Sequence, residues 1–200
     1  MIVRAVFYMC LVLLSTNTLS DDDAWPLATA VTAKGVFSQA LTDSSGATLV
    51  ETRGTFSAIK PDLYRWEIDS PDRQLLVLNE DGFWQWDKDL DIVILRDRPN
   101  LEDLPLARIW EGNSGCAGSI ESSEPGLPSG IERMTLISSA ADNIEIRLTD
   151  ALDQETVLRL KLSATSNLSP SDFAFEFPAG AEFYNESSTA APSITLETTP

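Results

Sequence analysis

Apolar and polar side chains alternate with a period of two through most of this chain, in short segments separated by turn residues. In residues 143–149, for example, Ile144, Ile146 and Leu148 alternate with polar neighbours. Such alternation is typical of β-strands with one buried and one solvated face. Strands are predicted over residues 48–60, 62–69, 73–79, 83–87, 91–97, 131–138, 143–149, 155–163 and 173–177. Because most connections are short, neighbouring strands must pair antiparallel, as in a meander.

Helical patterning is scarce by comparison. Residues 25–41 predict one helix, because Pro26 suits its first turn and four apolar residues fall near one face. A shorter helix is predicted within residues 100–124, interrupted at Pro105. Two helices cannot cover so wide an apolar sheet, and a long antiparallel sheet curls as it twists. The sequence therefore predicts an α+β fold whose sheet closes as a barrel or curves around the helices, with a concave interior suited to an apolar guest.

The ends of the chain differ from its middle. Arg4, an apolar run over residues 5–14, and the small residues Thr18 and Ser20 predict a signal peptide over residues 1–20. Ten apolar residues are too few to span about 30 Å of hydrocarbon. Residues 21–186 are predicted to form one domain. Residues 187–200, rich in serine, threonine, alanine and proline, are predicted to be a flexible tail.

Composition excludes several kinds of chemistry. The chain has no histidine, which rules out Ser-His-Asp and Cys-His catalysis and histidine-ligated zinc. Its formal net charge of −17 argues against nucleic acid as a partner. Beyond the signal peptide only Cys116 remains, in a glycine-rich loop, so we expect an inert thiol and no internal disulfide. No catalytic residue, metal or cofactor is predicted, and the acidic groups are interpreted as solvated surface.

Four local motifs point to a family. They are FSQ at residues 37–39, KPDLYRW at 60–66, DGFWQW at 81–86 and FAFEFPAG at 173–180. They resemble the F-x-Q, R-P-x-x-F/Y-x-W, D-G-x-x-L-W and F-x-F-x-P-P-x-G motifs of the outer-membrane lipoprotein carrier (LolA) family. The resemblance covers residues 37–97 and 173–183 well. It implies a single antiparallel sheet forming an incomplete (half) β-barrel, covered by a helical lid to which residues 100–110 correspond.

The resemblance also implies a function. The chain is expected to be a monomeric periplasmic carrier that binds the acyl chains of lipoproteins and moves them from the inner to the outer membrane. Its expected partners are acylated lipoproteins or lipid, an inner-membrane release transporter and an outer-membrane receptor. Two alternatives stay open at this point: a LolA-like carrier of another lipid or lipid-linked product, and a lipid-binding sensor that regulates an inner-membrane partner.

Site residues follow from the same resemblance. Tyr64 and Trp66 match the aromatic pair that lines the family's cavity, although aromatic residues in strands are also typical of plain core. Lys60 matches the arginine that closes the lid; lysine keeps the charge but lacks the planar five-donor fork. The expected lipid-binding residues are Tyr64, Trp66, Leu76, Leu78, Trp84, Trp86 and Phe175.

Overall fold

The computed structural model describes residue 27 and residues 30–100, 119–121, 130–140, 142–163 and 167–188. These residues form one eleven-stranded sheet. Its strands are β1 (Thr32–Thr42), β2 (Thr48–Ile59), β3 (Leu63–Ser70), β4 (Gln74–Asn79), β5 (Gly82–Asp87), β6 (Ile92–Arg96), β7 (Ser119–Glu121), β8 (Ile131–Ala140), β9 (Asn143–Asp150), β10 (Glu155–Leu162) and β11 (Glu182–Asn185).

The sheet consists of two meanders joined along β1. Its strand order is β11-β6-β5-β4-β3-β2-β1-β10-β9-β8-β7. Strands β1 to β6 form the first meander and β7 to β10 the second, and β1 pairs antiparallel with β10, placing Phe37 opposite Leu160. Only the β11–β6 pair is parallel among the described strands. The predicted single antiparallel sheet is thus confirmed in its main part, and it is open, with β11 and β7 at its two edges.

The helix predicted over residues 25–41 is wrong where the structure describes it. Residues 32–42 form β1 instead, with Ala33, Gly35 and Phe37 buried and the intervening residues exposed. The strand is favoured because β1 pairs with β2 on one side and β10 on the other, so its buried residues lie in the middle of the sheet. A glycine at position 35 also disfavours a helix. Residues 25, 26, 28 and 29 lie outside the described residues.

The strand predicted at residues 173–177 is also wrong. Residues 170–173 form a single 3-10 turn, and the extended segment after it crosses the outer face of the sheet without joining a ladder. The turn begins with Ser169, whose N–H donates to Asp172 Oδ2 at 2.7 Å and holds the pKa of Asp172 below its usual value. The chain then adds β11 to the edge of β6, a strand that the sequence analysis missed, as it missed β7.

Cross-strand register fixes which side chains share a face. Phe37 in β1, Phe56 in β2 and Trp66 in β3 lie on the same face as Leu158 and Leu160 in β10. This face holds the larger apolar cluster, which includes Leu27 from the segment before β1. A second cluster, built on Leu75, Val77, Trp84, Val93 and Leu95, lies on the opposite face and is covered by the C-terminal segment. The β4–β6 region is therefore apolar on both faces, whereas one wet face was predicted.

Two glycines allow aromatic rings to lie flat on the sheet. Gly54 lies directly opposite Phe37, and Gly35 directly opposite Phe56. A Cβ at Gly54 would lie 1.8 Å from the Glu67 carbonyl oxygen and 2.9 Å from Phe37 Cε1. A Cβ at Gly35 would similarly lie 2.0 Å from the Lys161 carbonyl oxygen. Glycine in a strand interior often marks such a close approach, and both positions are tightly packed here.

The helical lid remains a prediction. Its candidate segment, residues 100–110, lies outside the described residues from residue 101 onward, and the described part contains the 3-10 turn but no α-helix. The signal peptide, most of the predicted tail and Cys116 also lie outside it. Within the described ranges, no helix has the length and apolar character needed to cross a bilayer.

One buried hydrogen bond anchors the C-terminal segment, and its loss should destabilise the fold. Asn79 Nδ2 donates to the carbonyl oxygen of Phe173 at 3.0 Å, and both residues are buried. Asn79→Leu leaves that carbonyl without its donor, so we expect a loss of about 1–3 kcal/mol in the free energy of unfolding. Urea denaturation measures this loss. Asn143→Ala, at an exposed side-chain hydrogen bond to Asp142, is the control and should cost less than about 0.5 kcal/mol; equal effects would contradict the anchoring role.

Candidate functional site

An apolar cavity of about 380 Å³ lies on the concave face of the sheet. Ten side chains line it, from six strands of the two meanders and from the segment after β6: Gln39, Tyr64, Trp66, Leu76, Leu78, Phe83, Pro99, Leu148, Thr156 and Leu158. Phe83 is in β5 and Leu148 in β9, which are six strand steps apart in the sheet. A flat sheet would separate them by roughly 29 Å. Their presence in one cavity therefore shows that the sheet is curved.

Aromatic rings form the floor of the cavity. Trp66 packs against Phe37 with ring centroids 4.1 Å apart and against Phe56 at 5.5 Å. Phe37 and Phe56 are buried, whereas Trp66 is half-buried and still borders the cavity. The two phenylalanines are thus plain core, and they support the one ring of this group that faces the open space.

The lining is nearly free of polar groups. None of the ten side chains is charged at neutral pH, and only Gln39, Tyr64, Trp66 and Thr156 bring polar side-chain atoms. The Tyr64 hydroxyl donates to the Pro61 carbonyl oxygen at 3.2 Å, outside the apolar floor. An apolar surface of this kind favours apolar ligands, because burial from water stabilises by about 25 cal/mol per Å².

The segment before β1 lies across one end of this face. The Leu27 side chain is buried in the concave apolar cluster. Lys60 holds the segment at two points: its backbone N–H donates to the Val31 carbonyl at 2.9 Å, and its Nζ donates to the Leu27 carbonyl at 3.4 Å. Lys60, predicted to close a lid, therefore binds the backbone of a segment that covers part of the concave face.

A second segment reaches the cavity directly after β6. Pro99 lines the cavity. Next to it, Arg98 pairs with Asp62, with Nη2 2.5 Å from Oδ2. Asp62 lies two residues after Lys60, so both covering segments are held at the β2–β3 turn. The chain thus enters residues 101–118 from the edge of the cavity.

The structure separates the seven residues predicted to bind lipid into two groups. Tyr64, Trp66, Leu76 and Leu78 lie together in the concave cavity. The other three lie on the opposite face: Trp84, Trp86 and Phe175. Trp84 stacks on Phe175 with centroids 4.6 Å apart and is only 4% exposed. Within the described residues, its Nε1 has no hydrogen-bond partner.

The division follows from the β4–β5 turn. Asn79 pairs with Gly82, so Leu78 lies opposite Phe83 and Val77 opposite Trp84. Phe83 therefore faces the cavity and Trp84 faces outward. The run Leu75-Leu76-Val77-Leu78 is apolar throughout, so alternation could not indicate its faces. The two-residue turn was the available signal, because it fixes which residues of a hairpin are paired.

Other lining residues were not predicted as site residues. Leu148 and Leu158 were recognised only as members of an apolar strand face, Phe83 only as part of an aromatic-rich segment, and Pro99 was not singled out. Gln39 was noticed within the FSQ motif but was given no role. The feature that indicates a role for Gln39 is its position in β1. It is a polar residue two positions after Phe37 and lies on the same face of the sheet.

The described residues offer little for metal or acid–base chemistry. They contain no group of three or more histidine, cysteine, aspartate or glutamate side chains placed to hold a metal ion. The carboxylates whose pKa is lowered lie in exposed turns or form exposed ion pairs. Asp89, for example, accepts hydrogen bonds from the backbone N–H and side chain of Arg73, which lower its pKa. What the concave face offers to a ligand is apolar contact.

Comparison with known proteins gives the site a context. Residues 28–177 match the family model described as outer membrane lipoprotein carrier protein LolA. This match spans three quarters of the chain and includes β1 to β10. The matched range contains all ten residues that line the cavity.

Individual relatives agree with the family model. A protein named outer-membrane lipoprotein carrier protein from Alkalilimnicola ehrlichii is 31% identical over 161 residues, covering 74% of this chain and 75% of the relative. One of the same name from Azotobacter vinelandii is 28% identical over 168 residues, covering 75% and 80%. Among solved structures, a DUF1329 family protein from Desulfovibrio piger aligns with a TM-score of 0.42 and 9% identity, covering 74% of this chain and 91% of that chain.

Proposed function

The chain belongs to the outer membrane lipoprotein carrier (LolA) family, and from this premise we propose that it is a periplasmic carrier of lipoproteins. In this proposal the concave cavity binds the acyl chains, and the protein carries them in water from the inner to the outer membrane. The single observation that supports it most is the uncharged, mostly apolar cavity open on a curved sheet. The predicted signal peptide agrees with export to the periplasm.

A carrier is needed because acyl chains are very costly to expose. Each methylene contributes about 0.8 kcal/mol to transfer out of water. A cavity that covers the chains lowers this barrier without any covalent step. The affinity must stay moderate, since the same protein has to release its cargo. The proposed partners are an inner-membrane transporter that supplies the lipoprotein and an outer-membrane receptor that accepts it.

The helical lid belongs to the same proposal. Residues 100–110 correspond to the family's lid helix, and the chain reaches the cavity edge immediately before them, at Pro99. The Arg98–Asp62 ion pair holds the base of this segment. Lys60 is proposed to keep the empty protein closed by binding the Leu27 carbonyl. Opening would then shift the population toward a form that accepts lipid.

The role of Lys60 gives a kinetic prediction. Lys60→Met keeps most of the aliphatic stem but removes the Nζ donor to the Leu27 carbonyl. We expect this variant to take up a fluorescent fatty acid about two- to tenfold faster, because the closed empty form loses one hydrogen bond. Stopped-flow mixing of the empty protein with the fatty acid measures the uptake rate. Lys60→Arg keeps a charged donor and should take up the fatty acid at close to the original rate; an unchanged uptake rate in Lys60→Met would contradict the closing role.

A release assay tests the function itself. Purified chain starting at residue 21 is incubated with spheroplasts of a Gram-negative bacterium that contain newly made, radiolabelled lipoproteins. We expect lipoprotein to appear in the supernatant in a stoichiometric complex with the chain. Phospholipid without lipoprotein in that complex would favour the carrier of another lipid. No bound lipid of either kind would contradict a carrier function.

A further inference from the structure

The concave cavity has a polar corner. Gln39 in β1 pairs with Leu158 in β10, and Thr156 lies two residues farther along β10 on the same face. Both side chains line the cavity, whose other members are apolar apart from the Tyr64 hydroxyl and the Trp66 indole N–H. Thr52, opposite Gln39 in β2, adds a hydroxyl beside Gln39 on the concave face. Three polar side chains, Gln39, Thr156 and Thr52, are therefore grouped at one place.

This polar corner differs from other polar positions on the concave face in the hydrogen bonds of its side chains. Arg96 and Gln85, near the β6 edge, bind each other with Nη1 2.5 Å from Oε1, and Arg96 also pairs with Glu186. Among the described residues, by contrast, the structure gives no hydrogen-bond partner to the side chains of Gln39 and Thr156. Polar groups covered by an apolar ligand are destabilising unless the ligand supplies a partner.

The corner lies toward one end of the sheet. Thr42 pairs with Glu155, so the β1–β2 and β9–β10 turns are neighbours at this end. Gln39 and Thr156 are a few residues from these turns. The opposite end of β1 is close to Lys60, because Thr32 pairs with Ile59, and Tyr64 and Leu78 belong to that end. The amide and aliphatic hydroxyl groups of the cavity thus lie near the hairpin turns, whereas the end toward the β2–β3 turn offers aromatic and aliphatic side chains, with the Tyr64 hydroxyl donating to the Pro61 carbonyl.

We propose that Gln39 and Thr156 bind the ester or amide carbonyls of the cargo lipid, so that its acyl chains point toward Tyr64 and Leu78. The amide N–H of Gln39 and the hydroxyl of Thr156 both donate to carbonyl oxygens. The polar part of the cargo then leaves the cavity at the β1–β2 and β9–β10 turns. Two exposed leucines lie there, Leu152 in the β9–β10 turn and Leu49 near the start of β2. This inference rests on the proposed function and adds an orientation to it.

The orientation of the bound lipid can be measured by fluorescence quenching. A fluorophore is attached at one end of the sheet or the other, and the lipid carries a nitroxide that quenches it. Single cysteines replace Leu152 or Val31 in a Cys116→Ser background; both original side chains are exposed, at 72% and 64%. The two positions are well separated, because the 11 residues of β1 alone span roughly 36 Å. The probes are stearic acid with a nitroxide at carbon 5, near its carboxyl group, or at carbon 16, near its methyl end.

The expected result is opposite quenching by the two probes. The carbon-5 nitroxide should quench the fluorophore at position 152 more strongly, and the carbon-16 nitroxide the one at position 31. The reverse pattern, or equal quenching at both positions, would overturn the orientation while leaving lipid binding intact. If neither probe binds the chain, as judged by its own spectrum, the proposed carrier function fails together with this inference.

A pair of substitutions tests the carbonyl contact directly. Gln39→Leu and Thr156→Val keep the approximate shape and remove the donors. Each should weaken binding of a dipalmitoyl glycerol by about three- to tenfold, the effect of one neutral hydrogen bond. A dihexadecyl ether glycerol, which lacks the carbonyls, should bind these variants as it binds the original chain. Equal losses for both lipids would overturn the contact and indicate a packing role.

Discussion

Replacing Tyr64 with glutamate is expected to abolish lipid binding while leaving the sheet folded. The Tyr64 side chain is half-buried and lines the cavity beside Leu78, its cross-strand neighbour. A carboxylate there remains hydrated in the empty protein but would be covered when acyl chains enter. Burying an uncompensated charge costs several kcal/mol. Affinity for a fluorescent fatty acid should therefore fall by more than about a hundredfold.

A matched control is available one strand away. Ser57 is next to Ala58, the cross-strand partner of Tyr64, but faces the outer side of the sheet between Lys34 and Arg65. Ser57→Glu adds the same charge on the opposite face and should bind fatty acid normally. Circular dichroism and urea unfolding check that both variants fold. Normal binding in Tyr64→Glu, or equal loss in both variants, would show that Tyr64 does not contact lipid.

Gly54→Val is expected to prevent stable folding. A Cβ at this position would lie 1.8 Å from the carbonyl oxygen of Glu67, which belongs to the backbone of β3. The backbone must move apart to admit it, and the Phe37 ring lying on Gly54 would also be displaced. Overpacking of a core costs 1–3 kcal/mol and sometimes more. Because backbone must move here, we expect a loss above about 3 kcal/mol from a total stability of roughly 5–15 kcal/mol.

The control for this variant is Thr55→Val. Thr55 is the next residue of the same strand, is exposed on the outer face and also becomes valine. Its stability should change by less than about 0.5 kcal/mol. Urea denaturation compares both variants with the original chain. A Gly54→Val protein as stable as Thr55→Val would contradict the close packing of Phe37 on Gly54.

Much of the sheet could be predicted from alternation alone. Strands β2 to β6 and β8 to β10 agree with the predicted segments to within a few residues, since their apolar side chains alternate, or in β4 form a short continuous run, and turn residues separate them. β1 could not be identified in this way. Its apolar residues Phe37 and Leu41, with Val31 just before the strand, also fit a helical face, and its buried positions include the small residues Ala33 and Gly35. Only pairing with β2 and β10 decides its structure.

The site was only partly predictable, because a face depends on register. The aromatic residues of β3 and the leucines of β4 could be placed by the resemblance, and they lie in the cavity. Trp84, Trp86 and Phe175 were grouped with them because all are large and apolar. No covering layer for the outer face of β4–β6 was predicted from the sequence, whereas in the structure the segment with Phe175 and Phe183 covers this face. A strand with two buried faces cannot be oriented by hydrophobicity.

The most direct test of the central claim is native mass spectrometry of the chain purified gently from the periplasm of a producing cell. The carrier proposal predicts a population whose mass exceeds that of the mature chain by one acylated lipoprotein, and the Tyr64→Glu variant should lack it. A mass increase equal to free phospholipid would shift the proposal to another lipid. A protein that carries no lipid under conditions that preserve a known carrier's complex would contradict the account.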